Sequence, residues 1–412
     1  MELRGAKAAL KKGGLPEVVT PHLQRLIDET GGPDGPLGRQ FIARMEDENF
    51  EEGSSDPFDE NLNEVAPGLV YKYKGEMDSS GVVEYAGRAL WTISRYCASY
   101  CRFCFRGRIV GLPANKKTGD GTALGEKGFL SSEEIGQVFS YIEAHPDLNE
   151  IILSGGDPLV TPHPYFSEIL SGLAALQKRG KLDIVRIATR LPIHDPGAIS
   201  NHHFDAIKKI KNPYLMLHVN HPAELTEQTL AVLERFRREC LAVVMSQTVL
   251  LKGVNDSVET LQALFEKLAR EGVRPYYLFQ NDPVPWARHH TVPFQRARAI
   301  WTQLRPRLSG LAATAKFTVE SEGGFGKIPV PEGDFWSVDY SKYQDFKGGS
   351  FQPGGGRSLT SSLKKQRIIW LLTEEKTLHF LCSNGSENSD HRFDRDAGAA
   401  RPGCDRKKSG KV

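Results

Sequence analysis

The chain is short of several things, and each shortage narrows what it can be. Neither sign of charge dominates: 53 Lys and Arg stand against 51 Asp and Glu, a formal charge of +2 over 412 residues. That balance gives no broad electropositive face, so neither nucleic acid nor a membrane surface is expected as a partner. No apolar run approaches the ~20 residues of a membrane span. Met1 to Gly14 has no apolar core of the signal-peptide type, so a cytoplasmic location is expected. No repeat of solenoid type is present, and no Gly-x-Gly-x-x-Gly follows the first strand of the central region, which argues against a Rossmann sheet. Cysteine is scarce and uneven. Of six, Cys97, Cys101 and Cys104 crowd into eight positions, while Cys240, Cys382 and Cys404 stand apart. A disulfide framework would spread them, so the crowding points to a reduced, metal-binding role.

What is present is a long alternation. Short β-branched or apolar runs (89–94, 150–153, 184–189, 215–220, 243–250, 275–279, 316–319) alternate with helical patterns. Ser131 and Glu134 form a capping box before one helix, Thr161-Pro162 opens another that stops at Gly180, and Thr226 and Gly272 punctuate two more. The pattern predicts an α/β fold, a partial or full (β/α) barrel over 86–330, whose chemistry sits at the C-terminal ends of the strands. Residues 1–85 read as a helical and loop extension, in which the acidic stretch Glu46 to Glu64 reads as a solvated connector. Residues 331–349 read as an aromatic tail packed on the barrel. Residues 350–412, rich in Gly, Ser and charge around one apolar island, Ile368 to Leu372, are expected to be mostly disordered.

The phrase Cys97-Ala-Ser-Tyr-Cys101-Arg-Phe-Cys104 follows a predicted strand directly. Three thiolates can hold three irons of a [4Fe-4S] cluster and leave the fourth open to a ligand. A zinc site, which normally recruits a fourth Cys or His, is the alternative reading of the residues alone. Ser154-Gly155-Gly156-Asp157 closes the next strand, where small residues let a backbone approach a ligand and Asp157 can accept from an ammonium; a plain tight turn is the alternative. Lys327, in a glycine-rich loop after the last strand, can reach the barrel mouth or lie on the surface.

The Cys-x3-Cys-x2-Cys spacing resembles that of radical S-adenosylmethionine enzymes. Six phrases narrow the resemblance to the lysine 2,3-aminomutase family: Ile152 to Leu159, Arg186 to Pro192, His218 to Pro222, Gln247 to Asp256, Arg274 to Tyr277 and Gly323 to Pro329, in that family's order, within a match from about Asp56 to Val330. The resemblance implies a [4Fe-4S] cluster on the three cysteines and S-adenosylmethionine near Ser154, Gly155, Gly156, Asp157, Arg190, His218 and Gln247. It implies pyridoxal 5'-phosphate with Lys327 as its Schiff-base lysine and Arg88 and Tyr85 near its phosphate. Arg106 is implied as the substrate carboxylate's partner, and Asp282 and Glu320 as the pair that holds a side-chain ammonium. The reaction implied is a 1,2-amino migration catalysed by an isomerase, L-lysine to β-lysine (3,6-diaminohexanoate) first, arginine or ornithine second. The resemblance also implies a small-molecule amino acid as partner and an electron donor such as flavodoxin or ferredoxin; a homo-oligomer is left open.

Two departures stand out. Glu84 precedes Tyr85 where the family pattern leads one to expect a second arginine, and Ser257 stands at a position of the family's zinc cysteines, so no zinc is expected. Two rival readings remain at this point: a radical enzyme acting on a protein-bound lysine of a translation factor, suggested by Cys-Arg-Phe-Cys-Phe-Arg, and a metal-binding regulator without turnover.

Overall fold

The computed structural model describes residues 15–48, 54–80, 82–111, 128–320 and 327–330, together with four further strands near the C-terminus. By internal contacts the chain divides into two compact units, Met1–Val330 and Pro331–Val412.

The first unit is built on one ten-stranded sheet. Its strands are β1 (Glu64–Ala66), β2 (Leu69–Tyr73), β5 (Gly87–Ser94), β6 (Leu148–Gly155), β7 (Ile184–Thr189), β8 (Tyr214–His218), β9 (Val243–Leu250), β10 (Arg274–Gln280), β11 (Lys316–Glu320) and β12 (Lys327–Pro329), in that spatial order. A separate ribbon pairs β3 (Glu76–Met77) with β4 (Val83–Tyr85). From β5 to β11 every neighbouring pair is parallel, and the seven strands are those expected from the sequence, with ends moved by at most two residues. β1, β2 and β12 add antiparallel edges. In a flat sheet β2 and β11 would lie seven strand spacings, ~34 Å, apart. Yet Lys72 on β2 and Glu60 just before β1 both act electrostatically on Glu320 at the end of β11. The sheet therefore curls on itself into an open barrel.

The connecting helices form for local reasons. In α2 (Ser132–Ala144) Ser131 and Glu134 make the reciprocal capping box, and Ile135, Val138 and Ile142 bury one face. In α3 (His163–Lys178) Phe166, Ile169, Leu170, Leu173 and Leu176 form the buried stripe, and Gly180, at φ +71°, supplies the left-handed turn that ends it. The barrel continues through α4 (Asn201–Ile207), α5 (Glu227–Cys240), α6 (Val258–Arg270) and α7 (Phe294–Leu304). Thr226 caps α5 and Ser257 caps α6, contacts worth about 1 kcal/mol each. Ser257, where the resemblance led one to expect a zinc cysteine, thus has a helix-capping task. Cys240 is a buried thiol whose Sγ lies 3.6 Å from the Phe204 carbonyl oxygen.

Ahead of the barrel, α1 (Pro21–Glu29), capped by Thr20, packs Leu23, Leu26 and Ile27 with Leu37 and Phe41, and Cys101 touches this cluster. Leu15 packs with Tyr100, Ile109 and Val110 beside Cys97 and Cys104. The N-terminal segment therefore lies against the cysteine loop.

In the second unit β13 (Phe335–Asp339), β14 (Arg367–Leu372), β15 (Leu378–Cys382) and β16 (His391–Arg392) form a four-stranded antiparallel sheet. Three of these strands fall in 350–412, where little order is expected; they coincide with its β-branched and aromatic runs. The remainder of 331–412, Cys404 included, lies outside the described residues. No helix among the described residues is long and apolar enough to cross a membrane.

Candidate active site

The loop after β5 carries the three cysteines, and its backbone is tied at several points. The Arg95 N–H donates to Gly128 (3.0 Å), that of Gly111 to Arg95 (3.0 Å), and the Cys104 carbonyl accepts from the Trp286 indole (3.1 Å). Cys97, Cys101 and Cys104 are half-buried and unbridged. As thiols, burial pushes all three above their ordinary range, Cys104 to about 12. A cationic iron among them would favour the thiolates, as metal ligation does generally.

Arg190, at the end of β7, brings its guanidinium to this loop, donating from Nη1 to Cys101 Sγ (2.9 Å) and from Nη2 to Glu224 (3.1 Å) and Gln40. Burial opposes its charge, but Cys101 and Glu224 outweigh that and hold its pKa above the usual arginine value. Gln40 donates to Glu224 (2.9 Å) and accepts from Asn220 (3.0 Å), and the Asn220 side chain in turn meets the Val249 N–H and the His218 ring. Burial, then Arg190, lowers the His218 pKa well below its ordinary value, so the ring is neutral. Gln247 is half-buried on β9, level with His218 on β8.

Gly155 and Gly156 act through packing on the cysteine loop. A Cβ on Gly155 (φ +114°) would meet the Ser94 carbonyl at 2.4 Å, and one on Gly156 the Tyr96 carbonyl at 2.3 Å. The N–H groups of Gly156 and Asp157 donate to those same carbonyls. Asp157, expected to accept from an ammonium, accepts instead from Thr189 Oγ1 (2.7 Å) and from the N–H groups of Arg190 (2.7 Å) and Leu159 (3.0 Å). It locks the ends of β6 and β7 together.

At the β11 end of the mouth Lys327 lies 3.1 Å from Glu320 across the β11–β12 pair, with Nζ 5.2 Å from the centroid of the Phe279 ring. The Gly323 to Gly326 phrase before it lies outside the described residues. Burial works against the Glu320 charge, but Lys327 and Lys72 hold its pKa below the ordinary carboxylate value. Asp282, after β10, is raised to about 8, by burial first and Glu320 second. Two carboxyls thus meet one amine, and the second keeps its proton near neutrality.

Arg106, expected at the substrate carboxylate, donates from Nε and Nη2 to Glu60 (3.0 and 2.8 Å) and from Nη1 to Ser154 Oγ (3.1 Å). Glu60 also takes Lys72 (2.6 Å), and despite burial Arg106 and Lys72 hold its pKa well below normal. Arg108 pairs with Asp56 (3.0 Å). Asp47, 2% exposed, pairs with Arg102 (2.7 Å). The acidic stretch is therefore not a solvated connector: two of its members are buried counter-charges of the cysteine loop. Only the arginines at 102, 106 and 108 hinted at this, since a buried arginine needs a carboxylate. Arg88 is half-buried on β5, acts electrostatically on Arg186 and Tyr277, and has a buried Nε without a hydrogen bond. Glu84 is exposed, and the Tyr85 side chain lies outside the described residues.

The Radical SAM superfamily profile matches residues 91–268, the span that holds the cysteine loop and β6 to β9. A putative L-lysine 2,3-aminomutase of Treponema pallidum is 33% identical over 328 residues, covering 78% of this chain and 83% of that protein. The chain belongs to the lysine 2,3-aminomutase family. L-lysine 2,3-aminomutases of Escherichia coli (33% identical; 73% of this chain, 80% of that) and Clostridium subterminale (30%; 76% and 68%) match likewise. Membership in this radical S-adenosylmethionine family makes the protein an isomerase and implies a [4Fe-4S] cluster and S-adenosylmethionine. The three half-buried thiols with an arginine N–H directed at one sulfur are a donor set that fits such a cluster. Among solved structures a radical SAM methyltransferase from Sphaerobacter thermophilus overlays with a TM-score of 0.42 at 17% identity, over 63% of this chain and 81% of that one.

Proposed function

We propose that the protein is a pyridoxal phosphate-dependent L-lysine 2,3-aminomutase forming β-lysine. One observation carries the reading: Lys327 and the carboxyls of Asp282 and Glu320 meet at the strand ends, with Asp282 near enough to act on Cys104. Pyridoxal phosphate, when bound, supplies the carbonyl that carries the migrating amine, while the cluster with S-adenosylmethionine supplies the radical that takes a hydrogen from the β-carbon.

The chain's own residues do the binding and the charge control. Tyr277 and Phe279 lie on one face of β10, about 7 Å apart at two-residue spacing; Arg88 acts on the first and Lys327 sits over the second. An anion-binding arginine and an amine nucleophile so spaced suit a phosphate at one end and a carbonyl at the other. The orphaned Arg88 Nε supports this fit. Were Lys327 to hold pyridoxal phosphate, Glu320 would keep only Lys72 as a cation, and a substrate's side-chain ammonium between Glu320 and Asp282 would restore the balance. An acidic side chain there would be repelled. With Nε and Nη2 of Arg106 held by Glu60 and Nη1 by Ser154, one N–H on each terminal nitrogen is left to meet a carboxylate. The assignments of Ser154 and His218 to the S-adenosylmethionine side rest on their place at the ends of β6 and β8, and that of Gln247 on its pairing with His218.

Anaerobic incubation of cluster-reconstituted enzyme with lysine, ornithine, arginine, glutamate and alanine, with product identification, tests the reading. β-Lysine as the main product supports it; faster rearrangement of glutamate or alanine overturns it.

A further inference from the structure

Away from the barrel mouth, Asp47 lies in the helical turn Met45–Glu48, and His289 and His290 end the turn Pro285–His290. One ligand atom from each residue lies within 4.8 Å of the others. Asp47 and His290 are 2% and 3% exposed, and His289 is partly covered. The Asp47 Oδ1, His289 Nε2 and His290 Nε2 atoms are buried, and none makes a hydrogen bond. His289 Nε2 lies 3.2 Å from Oδ1 without a hydrogen bond's alignment. The other carboxylate oxygen is already committed, accepting from Arg102 Nε (2.7 Å) and the Arg44 N–H (3.0 Å).

With the proton of each neutral ring on Nδ1, all three atoms are acceptors; leaving one buried acceptor unsatisfied costs about 1–3 kcal/mol, so three converging on one point call for an occupant. A water molecule brings two protons to three lone pairs. A divalent cation accepts all three, and two imidazoles with one carboxylate are a donor set for zinc or a cation of its kind, with a water completing four-coordination. We propose that Asp47, His289 and His290 form a divalent-cation site, zinc being the favoured metal. It is separate from the three cysteines and independent of the zinc cysteines that the chain lacks. Through Arg102 and through Phe103, whose ring centroid is 6.1 Å from that of His290, the site would pin the N-terminal segment to the cysteine loop. Its role would be structural.

The test loads cluster-containing enzyme with zinc, removes loosely held metal by desalting, and measures zinc and iron content together with the zinc-edge X-ray absorption. We expect about one zinc per chain with nitrogen and oxygen neighbours only, at about 2.0–2.2 Å. His290→Phe leaves the Asp47–Arg102 pair in place and should lower retained zinc at least tenfold with iron unchanged; Asp47→Asn should do the same. Zinc raising the thermal midpoint of the wild type but not of His290→Phe would support the site further. Less than a tenth of an equivalent in the wild type would overturn the proposal. So would a sulfur shell at about 2.3 Å, which places zinc on the cysteines, or full retention of zinc by His290→Phe.

Discussion

The two sides of the barrel mouth are finished to different degrees. Beside the cysteines, Asp157, Arg190, Glu224, Gln40 and Asn220 are tied to one another by hydrogen bonds. Around Lys327, burial and the neighbouring Glu320 push Asp282 to about 8, Glu320 leans on the amine expected to bind a cofactor, and Arg88 has an orphaned nitrogen. A densely bonded network of this kind, in which only the Arg190 Nε is buried without a hydrogen bond, holds its shape without ligand, as cluster support requires. An undersatisfied set gains most when a charged partner arrives. On the proposed function, the first group would serve the half that generates a radical and the second the half that selects what receives it.

If that division holds, damage to the two sides separates in the assay. The largest effect comes from the cysteines: Cys97→Ala, Cys101→Ala or Cys104→Ala should each remove most iron–sulfur absorbance and all reductive cleavage of S-adenosylmethionine. Normal cleavage in two of the three would end the radical reading. Lys327→Ala should abolish amino migration while iron content and dithionite-driven cleavage persist. Arg190→Met leaves Glu224 buried without its cation and should cost about 3–5 kcal/mol in chemical denaturation.

The mildest effect is that of Asp282→Asn. Losing one charge-assisted hydrogen bond of about 1.5–3 kcal/mol should raise KM for lysine on the order of tenfold, with cluster reduction unaltered. The pH dependence follows in sign. A carboxyl with a raised folded pKa contributes stability that is complete below its unfolded value and is lost as pH rises through about 8. Asp282→Asn should therefore match the wild type near pH 4 and exceed it above pH 8 in thermal unfolding. Lysine affinity in the wild type should rise between pH 7 and 9 as Asp282 ionises, and that rise should vanish in the variant.

Much of this was legible in the chain because it is local. The strands announce themselves as short apolar runs, Ser131 and Glu134 as a capping box, and the three cysteines by spacing alone. The grouping of Asp282, Glu320 and Lys327 was expected from the family resemblance alone, since nothing in their spacing places them together. What escaped is long-range and electrostatic. Glu60 and Asp47 sit in a run of acids that looks solvated, and their burial follows from Arg102 and Arg106 folding back over 46 to 55 residues. Gln40 and Glu224 carry no motif, yet they complete the arginine beside Cys101. Asp157 stood in a recognisable phrase, but whether its carboxylate faces a ligand or the protein depends on Thr189 and on a backbone turn that no spacing encodes.

The central claim, that Lys327 faces a cation site, is tested most directly by borohydride reduction of the pyridoxal phosphate-loaded enzyme followed by peptide mapping. The account predicts that the label falls on Lys327 alone, and that prior addition of L-lysine, but not of L-glutamate, removes it from the peptide. Label on Lys252 or Lys316, or equal protection by both amino acids, would contradict it.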